Sequence, residues 1–250
     1  MLKNAIKKIV DPRSKSYLYL YHYWFKPARF PSVDHLVDRF ANLEDEVFFM
    51  QVGTNDGATS DPFFRHIRLN GWRGILIEPL EQEFQQLQNN HKNNPQLIFE
   101  NVAISNREET KPFYSIDNSK GELPFWVNKL SSFDPQIPQE VCDLYEQAVM
   151  ISKEVHCTTI NALLDKHGVA QLDLLLTDTE GYDAEILKTI DFERVRPKML
   201  IYEHRHLSPA DYELTLNLLR PLGYHLFKDE FDTVAFQSET LREEYAAHLI

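Results

Sequence analysis

Five short polar or glycine-bearing segments, Gly53-Thr54-Asn55-Asp56-Gly57, Glu78-Pro79, Asn101-Val102-Ala103, Asp178-Thr179-Glu180-Gly181 and Glu203-His204, each follow an apolar run. In an open parallel sheet such positions lie beyond the carboxyl ends of the strands, where ligands bind. One polar strand end means little, but five facing a common crevice form a strong pattern. The first loop bears on the ligand class. A dinucleotide loop reads G-x-G-x-x-G, and its middle glycine lets the backbone touch a pyrophosphate. Here the spacing is G-x-x-x-G, with Asn55 in the place of that glycine and the acid Asp56 beside it. An acid there repels phosphate but suits a ligand with an ammonium group. Glu78 lies 22 residues past Asp56, in the usual place for a carboxylate that accepts both ribose hydroxyls. Read singly, GTNDG is an ordinary glycine turn and Glu78 a solvated strand-end acid. Read together, they fit a nucleoside with a cationic amino-acid tail, S-adenosylmethionine.

These groups converge only if the strands carrying them end together. From residue 47 onward, VFFMQV, GILIE, LIFENVAI, LDLLLTD and KMLIYEH read as buried strands, the fourth with the continuous apolar run of a central parallel strand. Asp61 suits an N-cap, Pro62 a first helical residue and Gly71 a helix end. LEQEFQQLQNN sets Leu80, Phe84 and Leu87 on one helical face. NALLDKHG closes a helix on Gly168, GYDAEILKTI forms another, and Ser208-Pro209 opens one that runs to about Arg220. YHLFK and TVAFQ read as a hairpin joined around Asp229 to Asp232. Alternation of this kind predicts an α/β fold: a mostly parallel sheet with one antiparallel strand and helices on both faces. Between Asp117 and Val155 the alternation stops, and a short helix is expected near Val141 to Met150. Phe125, Trp126 and Phe133 make this stretch apolar enough to pack. It is read as a cap over the active site that orders or closes when substrate binds.

The 250 residues, 43% hydrophobic and 26% charged, are those of a globular chain. Lys+Arg 26 against Asp+Glu 38 leaves a net charge of −12, so nucleic acid is not an expected partner. No apolar run approaches the roughly 20 residues of a membrane span. Cys142 and Cys157 make neither a disulfide scaffold nor a zinc site. MLKNAIKKIVDPRSKS has no apolar core of signal-peptide length, so a reducing cytoplasm is the expected compartment. Residues 1–46 are set apart as an aromatic and helical extension from the domain at 47–250. The aromatic run Tyr17 to Phe25 is expected to pack on the body or on a second subunit, which would make the chain a homo-oligomer; contact with a membrane interface is the other use of such a run.

VGTNDG, IEP, NVAI, SSF and TDTEGYDAEIL, in this order across roughly residues 47 to 237, resemble the FkbM family of S-adenosylmethionine-dependent methyltransferases. The last block is the most specific, because the family's fourth-strand motif has the form K-I-D-x-E-G-x-E. The resemblance implies the class I methyltransferase fold, Rossmann-like, and O-methylation of a sugar, glycan or secondary-metabolite hydroxyl. It sets Gly53, Thr54, Asn55, Asp56, Gly57, Glu78, Pro79, Asn101, Ala103 and Asp178 beside the cofactor, and Asp178 and Glu180 at the active-site mouth. Two positions depart from the family pattern. Gln51 stands where an acid commonly ends the first strand, which leaves Asp56 to meet the cofactor's ammonium. Thr177 stands where a lysine commonly precedes Asp178.

Methyl transfer to oxygen is an in-line displacement at a sulfonium-bound carbon, so the acceptor must be aligned, desolvated and relieved of its proton. Asp178, Glu180, Glu203 and His204 are the candidates to activate the acceptor, and His204 is the favoured base, with the alternative that it satisfies a neighbouring carboxylate. Alternation sends Glu203 and His204 to opposite faces, and His206 follows His204 if the strand stays extended. Asp178 and Glu180 are candidate Mg²⁺ ligands, unless Glu180 caps the helix that starts near Gly181. Two other functions remain on the same sheet: an NAD-dependent oxidoreductase or epimerase, against which the missing GxGxxG counts, and a non-catalytic nucleoside-binding domain.

Overall fold

The computed structural model describes residues 31–117, 121, 123–124 and 126–250; the aromatic run Tyr17 to Phe25 and Phe125 lie outside them. Helix α1 (Val33–Leu43) leads into β1 (Phe48–Val52), α2 (Phe64–Leu69), β2 (Arg73–Ile77), α3 (Glu81–Asn90) and β3 (Leu97–Glu100). Then come β4 (Ala103–Ile104), β5 (Glu109–Asp117), β6 (Ser131–Ser132), α4 (Gln136–Leu144), β7 (Val149–Thr158) and α5 (Ile160–Lys166). The chain ends with β8 (Leu174–Thr177), α6 (Asp183–Thr189), β9 (Met199–Glu203), α7 (Pro209–Leu219), β10 (His225–Lys228), β11 (Asp232–Phe236) and α8 (Glu239–Tyr245).

Seven strands form the main sheet in the order β10-β11-β9-β8-β1-β2-β3. All neighbours from β9 to β3 pair parallel, and β11 alone runs against both of its neighbours. The chain steps outward from β1 to β3 and returns to lay β8 on the other side of β1. That reversal opens a crevice beyond the carboxyl ends of β1 and β8, where an open α/β sheet binds ligands. The α/β class, the mostly parallel sheet and the single antiparallel strand agree with the sequence.

Strand alternation divides the core into two faces. Met50, Val52, Ile75, Ile77, Leu175, Leu200 and Tyr202 pack with α5, α6 and α7. Phe49, Leu76, Leu174, Leu176, Met199, Ile201 and Val234 pack with α1, α2, α3 and α8. Ser32 caps α1 by accepting from the His35 N–H, and Leu36, Val37 and Phe40 of that helix are buried on this second face. Each such side chain contributes about 1.5–3 kcal/mol. Helix α1, which lies within the 1–46 segment, thus packs in the same core cluster as strands of the main sheet.

The region from β4 to β7 also departs from expectation. LIFENVAI is not one strand, because β3 stays in the main sheet while β4 turns away to pair with β7. The second sheet has four strands in the order β4-β7-β5-β6, built on a long antiparallel ladder from Glu109↔Cys157 to Asp117↔Val149. Pro112 disguises β5 in the sequence, but β6 pairs only Tyr114 and Ser115, so β5 has an open edge at Pro112. The helix expected near Val141 to Met150 is α4 at Gln136–Leu144, and Met150 lies in β7. Among the described residues no helix is long and apolar enough to cross a membrane.

Candidate active site

The loop after β1 is shaped by its contact with the end of β8. Gly53 has φ +77°, and a Cβ there would lie 1.8 Å from the Asp178 carbonyl oxygen, so only glycine lets the two loops meet. Asn55 is also left-handed, at φ +52°, a region that Asn tolerates better than most residues. This turn aims the Asn55 N–H at Glu78 Oε2, 2.8 Å away, while the Leu80 N–H holds Glu78 Oε1 at 2.9 Å. Glu78 is 3% exposed. Burial outweighs those two hydrogen bonds and pushes its carboxyl up to about 7. Each oxygen keeps a lone pair for a further donor. A slot beside it is lined by Gly53, Asn55, Glu78, Pro79, Ala103 and Asp178, with Val102, Ile104, Phe113 and Phe133 as its apolar wall.

Four further residues expected beside the cofactor make contacts within the loops around the slot. Thr54 is buried and its Oγ1 accepts from the Ile77 N–H at 3.0 Å, tying β1 to β2. Asp56 turns out of the slot. It accepts from the Thr59 N–H at 3.0 Å and the Thr59 hydroxyl at 2.6 Å, and pairs with Lys129 at 3.1 Å. Burial pushes its carboxyl up, but these bonds and the lysine charge outweigh that and hold it below the usual carboxylate range. Asp56, expected to meet an ammonium, thus has Lys129 as its cationic partner here. Gly57 packs under α3, where a Cβ would come within 2.3 Å of Leu87 Cδ1. Asn101 Nδ2 donates to the carbonyls of Glu78 at 2.8 Å and Pro79 at 3.1 Å, clasping the β2 loop.

The slot opens at Gly53, Asn55, Lys129, Asp178 and Glu180 into a cleft of about 530 Å³. Gln51, Asp61, Asp178, Glu180, Glu203, Arg205, His206 and Asp232 face it from below. Trp126, Leu130, Ile137, Val141 and Leu144 of the 117–155 insertion face it from above. Alternation explains the floor. Glu203 continues the Met199–Ile201 face of β9, Asp232 continues the Val234–Phe236 face of β11, and the two are direct partners across the sheet. His204 continues the opposite face with Tyr202. Its Nδ1 lies 3.1 Å from Thr233 Oγ1, its ring lies against Tyr212, and burial first, then Lys228, hold its pKa down. His204, the expected base, is not among the residues that line the cleft.

After Glu203 the chain turns, with the Leu207 N–H bonding to the His204 carbonyl at 3.2 Å. The turn carries His206 back over Gly181, where its Nε2 meets Glu180 Oε2 at 3.1 Å. Glu180 stands at φ +51°, and the Ser132 hydroxyl donates to its carbonyl at 2.7 Å. Its side chain pairs with His206 and makes no cap bond to α6, whose N-cap is Tyr182, while Asp183 accepts from the Thr179 hydroxyl at 2.7 Å. Burial, followed by the charges of Asp178, Glu180, Asp183 and Asp232, pushes Glu203 up to about 11. The surrounding protein, and then the charges of Glu180, Asp183 and Asp232, raise Asp178 well above the ordinary range, although its side chain is exposed at the cleft. Asp178 is not among the residues whose ligand atoms cluster. Among the described residues those are Glu180, Glu203 and His206, which include one member of the expected Asp178–Glu180 pair.

The model of the methyltransferase FkbM domain matches residues 51–226. The chain belongs to the FkbM methyltransferase family. No curated protein matches it. Among solved structures, the methyltransferase FkbM from Methylobacillus flagellatus KT aligns at 15% identity and a TM-score of 0.49, covering 89% of this chain and 50% of that one. This chain thus spans about half that protein's length. Precorrin-6y C5,15-methyltransferase from Geobacter metallireducens GS-15 aligns at 11% identity and TM-score 0.41, covering 86% of this chain and 95% of that chain. The fibrillarin pre-rRNA processing protein from Methanococcus jannaschii aligns at 12% identity and TM-score 0.39, covering 78% and 67%.

S-adenosylmethionine is the methyl donor that membership of the FkbM family implies, and the chemistry of the slot suits it. Glu78 offers two carboxylate oxygens, the Gly53 turn lies flush with the Asp178 backbone, and Val102 and Phe113 present an apolar wall. Two features of this FkbM chain escaped the sequence. Gln51 and Asp61 bond to each other at 3.0 Å on the cleft floor; the Asp61 cap signal was visible, since its Oδ1 accepts from the Phe63 and Phe64 N–H groups, but its partner was not. Lys129 reaches from the insertion to Asp56 and to the Thr59 carbonyl at 3.0 Å, and nothing local in its sequence announces that role.

Proposed function

We propose that the chain transfers the methyl group of S-adenosylmethionine to a hydroxyl of a sugar, glycan or secondary-metabolite acceptor bound in the acidic cleft. One observation carries this reading: the slot holding Glu78 opens, at Asp178 and Glu180, into a second cleft rich in hydrogen-bond acceptors. The cofactor supplies an electrophilic methyl group on a sulfonium. Glu78, fixed by the Asn55 and Leu80 N–H groups, accepts the ribose hydroxyls. Asp178 lines both spaces and so takes the proton that the acceptor oxygen loses as it is methylated. Asp232 and Glu203 orient further hydroxyls of the acceptor, and Trp126, Leu130 and Val141 keep water from the reacting atoms.

Asp178→Asn tests the catalytic assignment. Methyl transfer should fall by about 10²–10⁴, while S-adenosylhomocysteine binds as before. An unchanged rate would remove Asp178 from the mechanism. Titration with S-adenosylhomocysteine and with NAD tests the donor, and tight binding of NAD alone would overturn it.

A further inference from the structure

Glu180 follows β8, Glu203 ends β9 and His206 follows the turn after β9, and one ligand atom from each lies within 4.8 Å of the other two. We propose that these three residues bind a divalent cation at the mouth between slot and cleft. The inference rests on reading the cleft as the acceptor site. Its first support is Glu203, which is 8% exposed and whose Oε2 has no hydrogen-bond partner among the described residues. A buried carboxylate oxygen facing other acids is strongly unfavourable unless a cation or a proton compensates it.

Among the described residues, the lysine and arginine that line the cleft are engaged with other groups. Lys129 bonds to Asp56 and the Thr59 carbonyl, and the Arg205 guanidinium lies 4.6 Å from the centre of the Phe231 ring. The second support is geometry. Neighbouring ligands on an ion at about 2.1 Å stand about 3 Å apart, and His206 Nε2 and Glu180 Oε2 are already 3.1 Å apart. Two carboxylates with one imidazole suit Mn²⁺ or another borderline transition ion better than Mg²⁺, which prefers oxygen alone. Three protein ligands leave coordination positions open toward the cleft. An acceptor hydroxyl bound there becomes more acidic and passes its proton to Asp178 without any change of oxidation state.

The probe is Mn²⁺ alone, followed by loss of the free-ion electron paramagnetic resonance signal, with S-adenosylhomocysteine titrated separately by calorimetry. One Mn²⁺ per chain should bind. Glu203→Gln and His206→Gln should each weaken Mn²⁺ binding at least about tenfold, since loss even of a partner that only orients a ligand costs that much, and leave S-adenosylhomocysteine affinity unchanged. If one variant fails to fold, the other decides. A free-ion signal undiminished by wild-type protein, or equal Mn²⁺ affinity in a folded variant, would overturn the site. Mn²⁺ binding without S-adenosylhomocysteine binding would instead sink the donor reading and leave the metal site standing.

Discussion

Glu78→Ala removes the carboxylate on which the donor slot depends. Two charge-assisted hydrogen bonds to ribose hydroxyls at about 1.5–3 kcal/mol each total about 3–6 kcal/mol, or about 10²–10⁴ in Kd. The lower end is the expectation, because water enters the gap and partly satisfies the Asn55 and Leu80 N–H groups that Glu78 now holds. Glu78→Gln keeps the shape and one acceptor oxygen, so it should lose about 10–100-fold. The assay is calorimetric titration with S-adenosylhomocysteine at pH 8, with thermal unfolding to confirm that each variant is folded. The carboxyl of Glu78 is raised to about 7, and the form that accepts two hydroxyls is the ionised one. Wild-type affinity should therefore rise with pH up to about 7 and then level off, while Glu78→Gln stays flat. The ligand-free fold behaves oppositely. A folded pKa of about 7 above the ordinary 4.5 means that stability falls as pH rises through that window. A folded Glu78→Ala protein that binds as tightly as wild type, with no pH dependence separating it from wild type, would refute the assignment.

Gly53→Ala should cost about 2–4 kcal/mol by thermal or denaturant unfolding, because its Cβ would lie 1.8 Å from the Asp178 carbonyl at φ +77°; an unchanged midpoint would contradict that contact. His204→Ala should leave kcat unaltered and lower stability by about 1 kcal/mol through the lost Thr233 bond, whereas a large fall in kcat would bring His204 back to the cleft. Lys129→Ala should change overall stability by no more than about 1 kcal/mol. It should speed hydrogen exchange across 126–144, which that lysine straps to the β1 loop; exchange identical to wild type would remove the strap.

The strand ends were legible because a parallel sheet brings its carboxyl edges to one crevice whatever the loops do. Gly53, Glu78, Asp178 and Glu180 follow from that rule and all face the slot or its mouth. Side-chain direction within a loop was not legible. Asp56 folds back on Thr59 and Asn101 on the Glu78 carbonyl, as short polar side chains do when a backbone group lies within reach. The His204 and His206 exchange has a similar cause. Alternation correctly separates Glu203 from His204, but which face holds the cleft depends on where β11 and the insertion lie. The turn that returns His206 to Glu180 is a tertiary event. The β5–β7 ladder was hidden by Pro112 and by polar residues on its exposed face, since a second sheet half open to solvent carries no continuous apolar run.

The most direct measurement supplies the chain with S-adenosylmethionine labelled in its methyl group, a panel of sugars, glycans and hydroxylated small molecules, and added Mn²⁺. Label should move to an acceptor in a form stable to alkali, as an ether is, and Asp178→Asn should suppress it. Label that moves only to amines would contradict O-methylation. Failure of every acceptor with S-adenosylhomocysteine still bound would leave a nucleoside-binding domain without the catalysis proposed for it.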